Sequence, residues 1–448
     1  MENTTNQPMT ADQMVELCKK YTFWSWSAQD AVNPIPMVRA EGIYFWDANG
    51  KRYTDMNSQL MCSNIGHGNQ RVIDAIKEQA QELAYAGPSV ATRIRAEIGP
   101  LLAKYTPGDL NKFFFTVGGA EATENAIKLA RQYPGRHKII ARYRSYHGAS
   151  AGASALTGDP RRWPTEPGMP GVIRAFDPYE YRCSFGRDNC SDCGLLCLKN
   201  MEEIMIYEGP QTIAAVFIEP VTGTNGLIVP PEGYMQGLRE LCDKYGILLI
   251  CDEVMAGLGR TGEWFAVNNW NVVPDIITMA KGLTSAYMPL GCVAMSEKIA
   301  DYFGKNVFYG GLTYSGHPMS LAAAVATLQV LEEDDLIGNS KRMGKVMAGL
   351  LQGLKAKHPS VGDVRSIGLF GIIELVKNRE TREPMAPFNG TSPEMTQLGA
   401  YLREQGLATF IHWNNLFTNP PLCITEAQLQ ESFAIIDRAL EITDKAVL

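Results

Sequence analysis

The chain has 448 residues, 45% of them hydrophobic, with a formal charge of -7 and a pI near 5.6. That length and apolar share support a large core, built as a main domain with a smaller one packed against it. The acidic balance gives no basic footprint for nucleic acid. No apolar run is long enough for a membrane span, and the polar start MENTTNQPMT lacks the order of a signal peptide, so no nucleic acid, no membrane and a cytoplasmic location are expected.

In chain order, residues 1–70 form an N-terminal segment expected to join the smaller domain. Within it "AEGIYFWDANGKRYTD" holds two strand-like runs around Asn49-Gly50, a hairpin signal. From 71 to 331, apolar runs of strand length alternate with helix-like stretches, the α/β pattern of a mostly parallel sheet flanked by helices. The runs are Phe113 to Thr116, Lys138 to Arg142, Ala214 to Ile218, Ile247 to Cys251 and Ile276 to Met279. Their apolar residues are consecutive, as in strands buried on both faces. Residues 332–448 read as a smaller α+β domain: a helical stretch from Leu331 to Lys357, "SIGLFGIIELV" as strand material and "TEAQLQESFAIIDRALEI" as an amphipathic helix.

Four cysteines, Cys183, Cys190, Cys193 and Cys197, crowd together in the spacing C-x6-C-x2-C-x3-C. Short gaps of this kind can wrap thiolates around zinc or an iron-sulfur cluster, and they also suit a surface excursion with reduced thiols. The spacing matches no standard zinc pattern, so no metal is assigned.

In open parallel α/β sheets ligands bind at the carboxyl ends of the strands, so the residues just after each run carry the chemistry. The first run is followed by Val117-Gly118-Gly119-Ala120-Glu121, a glycine turn opening a helix, where backbone N–H groups can meet a phosphate. The second is followed by Tyr146 and His147, an aromatic face for a pocket. The third leads to Glu219 and the fourth to Asp252. Buried carboxylates there need a cation or several donors. "LLICDE" also looks like the magnesium-binding strand of an ATPase, but no Gly-Lys pair is followed by Ser or Thr, as a phosphate loop requires. The fifth run leads to Lys281. Glu219, Asp252 and Lys281 recur roughly 30 residues apart, one strand-helix-strand unit, and so should reach one sheet edge. A phosphate cradle, an aromatic face, a carboxylate and a lysine together are what pyridoxal phosphate requires: a lysine for the Schiff base and an Asp to keep the pyridine nitrogen protonated.

With these residues assembled, the chain resembles the class III pyridoxal-phosphate aminotransferases of fold type I over nearly its whole length. The motifs, in order, are "GIYFWDANGKRYTD", "NIGHGN", "FFFTVGGAEATENAIKLAR", "SYHGAS", "AAVFIEPVTGTNG", "LLICDEVMAGLGRTG", "DIITMAKGLTSAYMPLG", "GGLTYSGHP" and "PPLCIT". The resemblance implies that Lys281 bears the imine and moves the proton, that Asp252 pairs with the pyridine nitrogen, and that Val254 and Tyr146 enclose the ring. It implies further that Gly119 and Ala120 bind phosphate through their N–H groups, with Thr313 adding a hydroxyl from the partner subunit of a homodimer, and that His147 and Glu219 belong to the cofactor site. The family often has Ser at the place of Ala120, so one hydroxyl contact to phosphate is lost.

The chain looks closest to ω-amine and taurine-pyruvate members, with an amine donor and a keto acid, pyruvate, as acceptor. Such members often carry an arginine ahead of Pro-Pro-Leu that grips the substrate carboxylate. Here no arginine lies between Glu404 and Asp437, and Phe410 takes its place by length. Arg161 or Arg162 are candidates for that grip, with His412 and Trp413. Trp24, in "YTFWSWS", and Leu60 and Met61, in the stretch ending at Cys62, match the expected pocket wall. Two rival readings keep the fold: an aminomutase, decarboxylase or lyase on the same cofactor, and a non-catalytic metal-binding protein built around the cysteines.

Overall fold

The structure, a computed structural model, describes residues 9–187 and 193–447. Its centre is a seven-stranded sheet of β1 (Lys112–Thr116), β2 (Lys138–Arg142), β3 (Val172–Ala175), β4 (Ile213–Ile218), β5 (Leu248–Asp252), β6 (Ile276–Met279) and β7 (Gly291–Met295). The spatial order is β1-β7-β6-β5-β4-β2-β3. The neighbours from β6 through to β3 are parallel, whereas β7 runs antiparallel to both β6 and β1.

The five expected runs are strands, with ends shifted by no more than one residue; β3 and β7 were not anticipated. Every residue of β4 and β5 is buried, and alternation assigns the faces. Val216, Ile218, Leu249 and Cys251 enter one apolar cluster, while Ala215, Phe217, Leu248 and Ile250 enter another on the opposite side. Covering both faces is what demands consecutive apolar residues.

The hairpin at Asn49-Gly50 forms between Tyr44–Asp47 and Arg52–Asp55. Gly50 takes the left-handed conformation at φ 82°, and Asp47 Oδ1 accepts the N–H groups of Asn49 at 3.0 Å and Lys51 at 2.9 Å. On its other side Arg52–Asp55 pairs in parallel with Leu407–Ala408, Leu407 opposite Thr54. The start of the chain is thereby built into its end.

One C-terminal expectation changes and another gains detail. The helical stretch from Leu331 to Lys357 is the end of one helix, Pro318–Glu333, and the whole of another, Leu336–Lys357. Between them Asp335 turns left-handed at φ 49°, and its carboxylate pairs with Arg342 at 2.7 Å. "SIGLFGIIELV" is strand material as expected, divided by a tight turn between the strands Val361–Ile367 and Phe370–Asn378. Gly368 makes that turn at φ 57°, where a Cβ would collide with the backbone of Thr261 and Gly262.

The last helix, Glu426–Asp444, is closed by a capping box: Thr425 Oγ1 accepts from the Gln428 N–H at 3.3 Å, and the Gln428 side chain accepts from the Thr425 N–H at 2.9 Å. Thr425→Ala is expected to cost about 1 kcal/mol, read as a lower midpoint in urea unfolding with activity unchanged. Among the described residues, no helix is long and apolar enough to cross a membrane.

Candidate active site

A cavity of about 450 Å³ lies beyond the carboxyl ends of the central strands, lined by Gly118, Gly119, Ala120, Tyr146, His147, Glu219, Asp252, Val254 and Lys281 among others. The chain residues expected at the cofactor thus converge there from five strand ends, with Thr313 the exception. Thr313 is exposed, and its carbonyl accepts from the Tyr85 hydroxyl at 2.9 Å. It does not line its own chain's cavity.

Lys281 stands two residues beyond β6 and opens a short 3-10 turn in the left-handed conformation, φ 42°. For a residue with a Cβ this backbone is costly, which is a feature of sites where position matters more than local stability. Burial pulls its ammonium below the ordinary lysine value, with Cys62, Asp252 and Glu219 acting in the opposite sense. The neutral amine is therefore more accessible here than on a surface lysine.

Asp252 ends β5. Its Oδ2 lies 2.7 Å from His147 Nδ1, and its Oδ1 accepts from the Val254 N–H at 3.1 Å. A carboxylate is an acceptor, so Nδ1 is the donor in this contact. Nε2 is buried with no hydrogen-bond partner. The imidazole is itself fixed: its backbone N–H donates to Thr157 Oγ1 at 3.0 Å, its carbonyl accepts from Thr123 Oγ1 at 3.0 Å, and its ring meets Phe217 edge-on at 4.9 Å.

Glu219, directly after β4, accepts the Tyr146 N–H at 3.0 Å through Oε1 and the Gly223 N–H at 2.7 Å through Oε2. Burial pushes its carboxyl above the usual carboxylate range, with His147 opposing and Asp252 adding to the rise. Its work in this geometry is to fix the backbone of Tyr146. The Tyr146 ring meets Trp26 edge-on at 6.3 Å, and the Arg161 guanidinium lies 3.7 Å from its centroid. Arg161 Nε is held by Asp159 Oδ2 at 2.9 Å and Nη2 by Thr224 Oγ1 at 2.8 Å.

The helix Gly119–Gln132 starts at the cavity, with Gly118 as its cap. The first N–H groups of a helix have no intrahelical acceptor and sit at the positive end of its dipole. Space around them is kept by small residues. A Cβ on Gly148, at φ 133°, would come within 2.7 Å of the Ala120 Cβ, and one on Gly119 within 3.1 Å of Val254.

The expected substrate wall is corrected in several places. Arg162 turns away from the cavity: its Nε pairs with Glu166 at 3.0 Å, Nη1 donates to the Gly158 carbonyl at 3.1 Å, and it lines a separate pocket. Met61 is buried in an apolar cluster with Val221, Met255 and Phe417, and Leu60 is 43% exposed; Cys62 is the residue of that stretch that lines the cavity. Trp26, not Trp24, meets Tyr146. Trp24 is tied through its backbone to Gln29 instead. Phe410 packs on Phe417 at 5.2 Å and stacks on His412 at 5.4 Å, and Trp413 stacks on His412 at 4.1 Å and meets Phe388 at 4.4 Å. Burial, aided by Arg161, takes His412 down to about 4, so it is neutral at pH 7 and offers no charge to a carboxylate.

Of the cysteine cluster, Cys190 lies outside the described residues. Cys183, Cys193 and Cys197 are free thiols, and burial pushes Cys197 up to about 11, with Cys193 adding to the rise. Among the described residues no group of three or more His, Cys, Asp or Glu is arranged to hold a metal ion.

Comparison with known proteins agrees with this geometry. The family model for class III aminotransferases matches residues 26–440. A taurine-pyruvate aminotransferase of Bilophila wadsworthia is 36% identical over 96% of this chain and 98% of its own length. A putrescine-pyruvate aminotransferase of Pseudomonas aeruginosa is 33% identical over 92% and 91%. Among solved structures, a taurine:2-oxoglutarate aminotransferase from Bifidobacterium kashiwanohense, in complex with pyridoxal phosphate and glutamate, superposes with a TM-score of 0.95 at 43% identity, covering 99% of this chain and 100% of that one. The donor set here suits that cofactor: a helix start kept open by glycine for a phosphate, a buried carboxylate already held by His147, and a lysine with a lowered pKa. The chain belongs to the class III aminotransferases, which act with pyridoxal phosphate.

Proposed function

We propose that the protein is an ω-aminotransferase that passes the amino group of an ω-amino acid or amine, taurine among them, to pyruvate by a ping-pong mechanism. The observation that carries the site assignment is the meeting of Lys281, Asp252, Glu219 and the Gly119 helix start around one cavity. Pyruvate is supported by the names of relatives such as those of Bilophila wadsworthia and Pseudomonas aeruginosa. The same reading divides the chain into 1–70, 71–331 and 332–448, and makes it a cytoplasmic homodimer in which Thr313 completes the partner's phosphate site.

When bound, pyridoxal phosphate supplies an electron sink that lets the carbon bearing the donor's amino group give up its proton. In this assignment Lys281 would hold the cofactor, and its amine would take and return the proton of the donor carbon. Asp252 keeps a negative charge at the ring nitrogen, and His147 fixes the carboxylate that does so. Gly119 and Ala120 would hold the phosphate, and Tyr146 and Val254 would enclose the ring.

Arg161 is the anchor we assign to the substrate's acid group in the absence of a C-terminal arginine. Asp159 and Thr224 engage Nε and Nη2, which leaves Nη1 for a carboxylate or sulfonate oxygen, and the stack on Tyr146, a lining residue of the cavity, supports this reading. Arg161→Gln should raise the KM for pyruvate by about tenfold or more, the worth of a charged hydrogen bond, with a smaller change in kcat. An unchanged KM would remove Arg161 from the site. The substrate reading is tested by half-reactions with taurine, β-alanine and simple amines, followed by turnover with pyruvate or 2-oxoglutarate. The second acceptor is a real competitor because the 43% identical structure is named for it; turnover with 2-oxoglutarate alone would overturn pyruvate.

A further inference from the structure

Outside the active site, a smaller pocket of about 180 Å³ lies between the 3-10 helix Pro160–Thr165 and β3, and two arginines line it, Arg162 and Arg174, with Glu166 on the same wall. Glu166 is its sole acidic lining residue among those described, and half of that side chain is in solvent. Like charges are rarely gathered around one small space unless something shares them.

The donors are already partly set. Arg174 Nη2 donates to the carbonyls of Ala155 at 2.6 Å and Thr157 at 3.1 Å, which fixes the plane of its guanidinium. Its Nε is buried and has no hydrogen-bond partner. Arg162 is fixed in the same way, by Glu166 and the Gly158 carbonyl. Behind the wall a third guanidinium, Arg131, donates to the Pro170 carbonyl at 2.7 Å, and its Nε too is buried without a partner. Burial, then the Arg162 charge, hold Arg174 below the ordinary guanidinium value, and Glu166 and Tyr143 oppose this. The lining thus holds two guanidiniums against one carboxylate, which pairs with Arg162, so the pocket keeps a net positive charge. Two planar forks with spare N–H groups, facing a space a few water molecules wide, are the chemistry that recognises a small oxyanion.

We propose that this pocket binds a small doubly charged oxyanion, of the phosphate or sulfate class, between Arg162 and Arg174, and that binding there steadies the short helix that also carries Arg161. The link is covalent and brief. Arg161 and Arg162 are neighbours on one 3-10 turn: Arg161 lies against Tyr146 at the active site, while Arg162 faces the second pocket. The helix is further pinned from the pocket side by Thr165, whose hydroxyl meets Ser154 Oγ at 2.8 Å. Holding one face of the turn therefore restricts the other.

The test is calorimetric titration of the holoenzyme, its cofactor in place, with inorganic phosphate and with sulfate, against chloride at matched ionic strength. Saturable binding of one oxyanion per chain is expected, weakened at least tenfold in Arg174→Gln. Glu166→Gln, at a half-exposed position, should bind several-fold more tightly because a competing carboxylate is gone. Absence of saturable binding, or equal affinity in wild type and Arg174→Gln, would overturn the site. Looser binding in Glu166→Gln would do the same even if Arg174→Gln failed to fold. None of these readouts depends on transamination, so they stand apart from the substrate assignment.

Discussion

Lys281→Ala should leave a protein that folds and still takes up cofactor, yet transfers amino groups roughly four orders of magnitude more slowly or not at all. Two losses combine. The variant has no amine with which to hold the cofactor covalently, and none to carry the proton between the donor carbon and the cofactor, a step for which a placed acid and base is worth about 10²–10⁴. Reduction with borohydride separates the two: wild type should gain the cofactor's mass, Lys281→Ala should not. The pH dependence follows from the lowered pKa of Lys281. The amine stays unprotonated to a lower pH than a surface lysine would, and acidification through its folded pKa removes the base and the rate with it. A Lys281→Ala protein that kept wild-type single-turnover rates would end the assignment.

Asp252→Asn is expected to cost roughly two to three orders of magnitude in kcat, on the scale of removing one preorganised charge from a transition state. The substitution is nearly isosteric, and the amide oxygen can still accept the His147 Nδ1–H now given to Oδ2. The amide NH₂ would face the Val254 N–H, which today donates to Oδ1, a local loss of about 1 kcal/mol. The fold should survive, and thermal unfolding should confirm it. What goes is the negative charge, so substrate binding should change far less than kcat. Equal losses in stability and rate would mean that Asp252 is a structural residue.

The cofactor side of the site was legible in the sequence because it sits on strand ends. A buried parallel strand announces itself as consecutive apolar residues, and the next residue faces the crevice whatever the details of the loop. Glu219, Asp252 and Lys281 could be placed on one edge for that reason. β7 was not legible: Gly291–Met295 is as short and apolar as its neighbours, but nothing local specifies that it inserts antiparallel between β6 and β1. Along the substrate wall the sequence left neighbours undivided, Arg161 beside Arg162 and Met61 beside Cys62, for a physical cause. Parity arguments need regular backbone, and Ser58, Gln59 and Met61 all take positive φ, at 47°, 59° and 54°, so Cys62 and not Met61 turns to the cavity. On the 3-10 turn Pro160–Thr165 consecutive side chains point about a third of a circle apart, which sends Arg161 and Arg162 to different pockets.

The parallel pairing of Arg52–Asp55 with Leu407–Ala408 sets the order in which the protein can be completed. Met56 N–H donates to the Ala408 carbonyl at 2.8 Å, and Ser58 Oγ to the Asn419 carbonyl at 2.7 Å, so the segment leading to Cys62 is positioned by residues made some 350 later in synthesis. Contacts that distant close late. A nascent chain can assemble the sheet bearing Asp252 and Lys281 well before it has a wall to face them, and the competence to choose a substrate arrives only once Ala408 and Asn419 have been made.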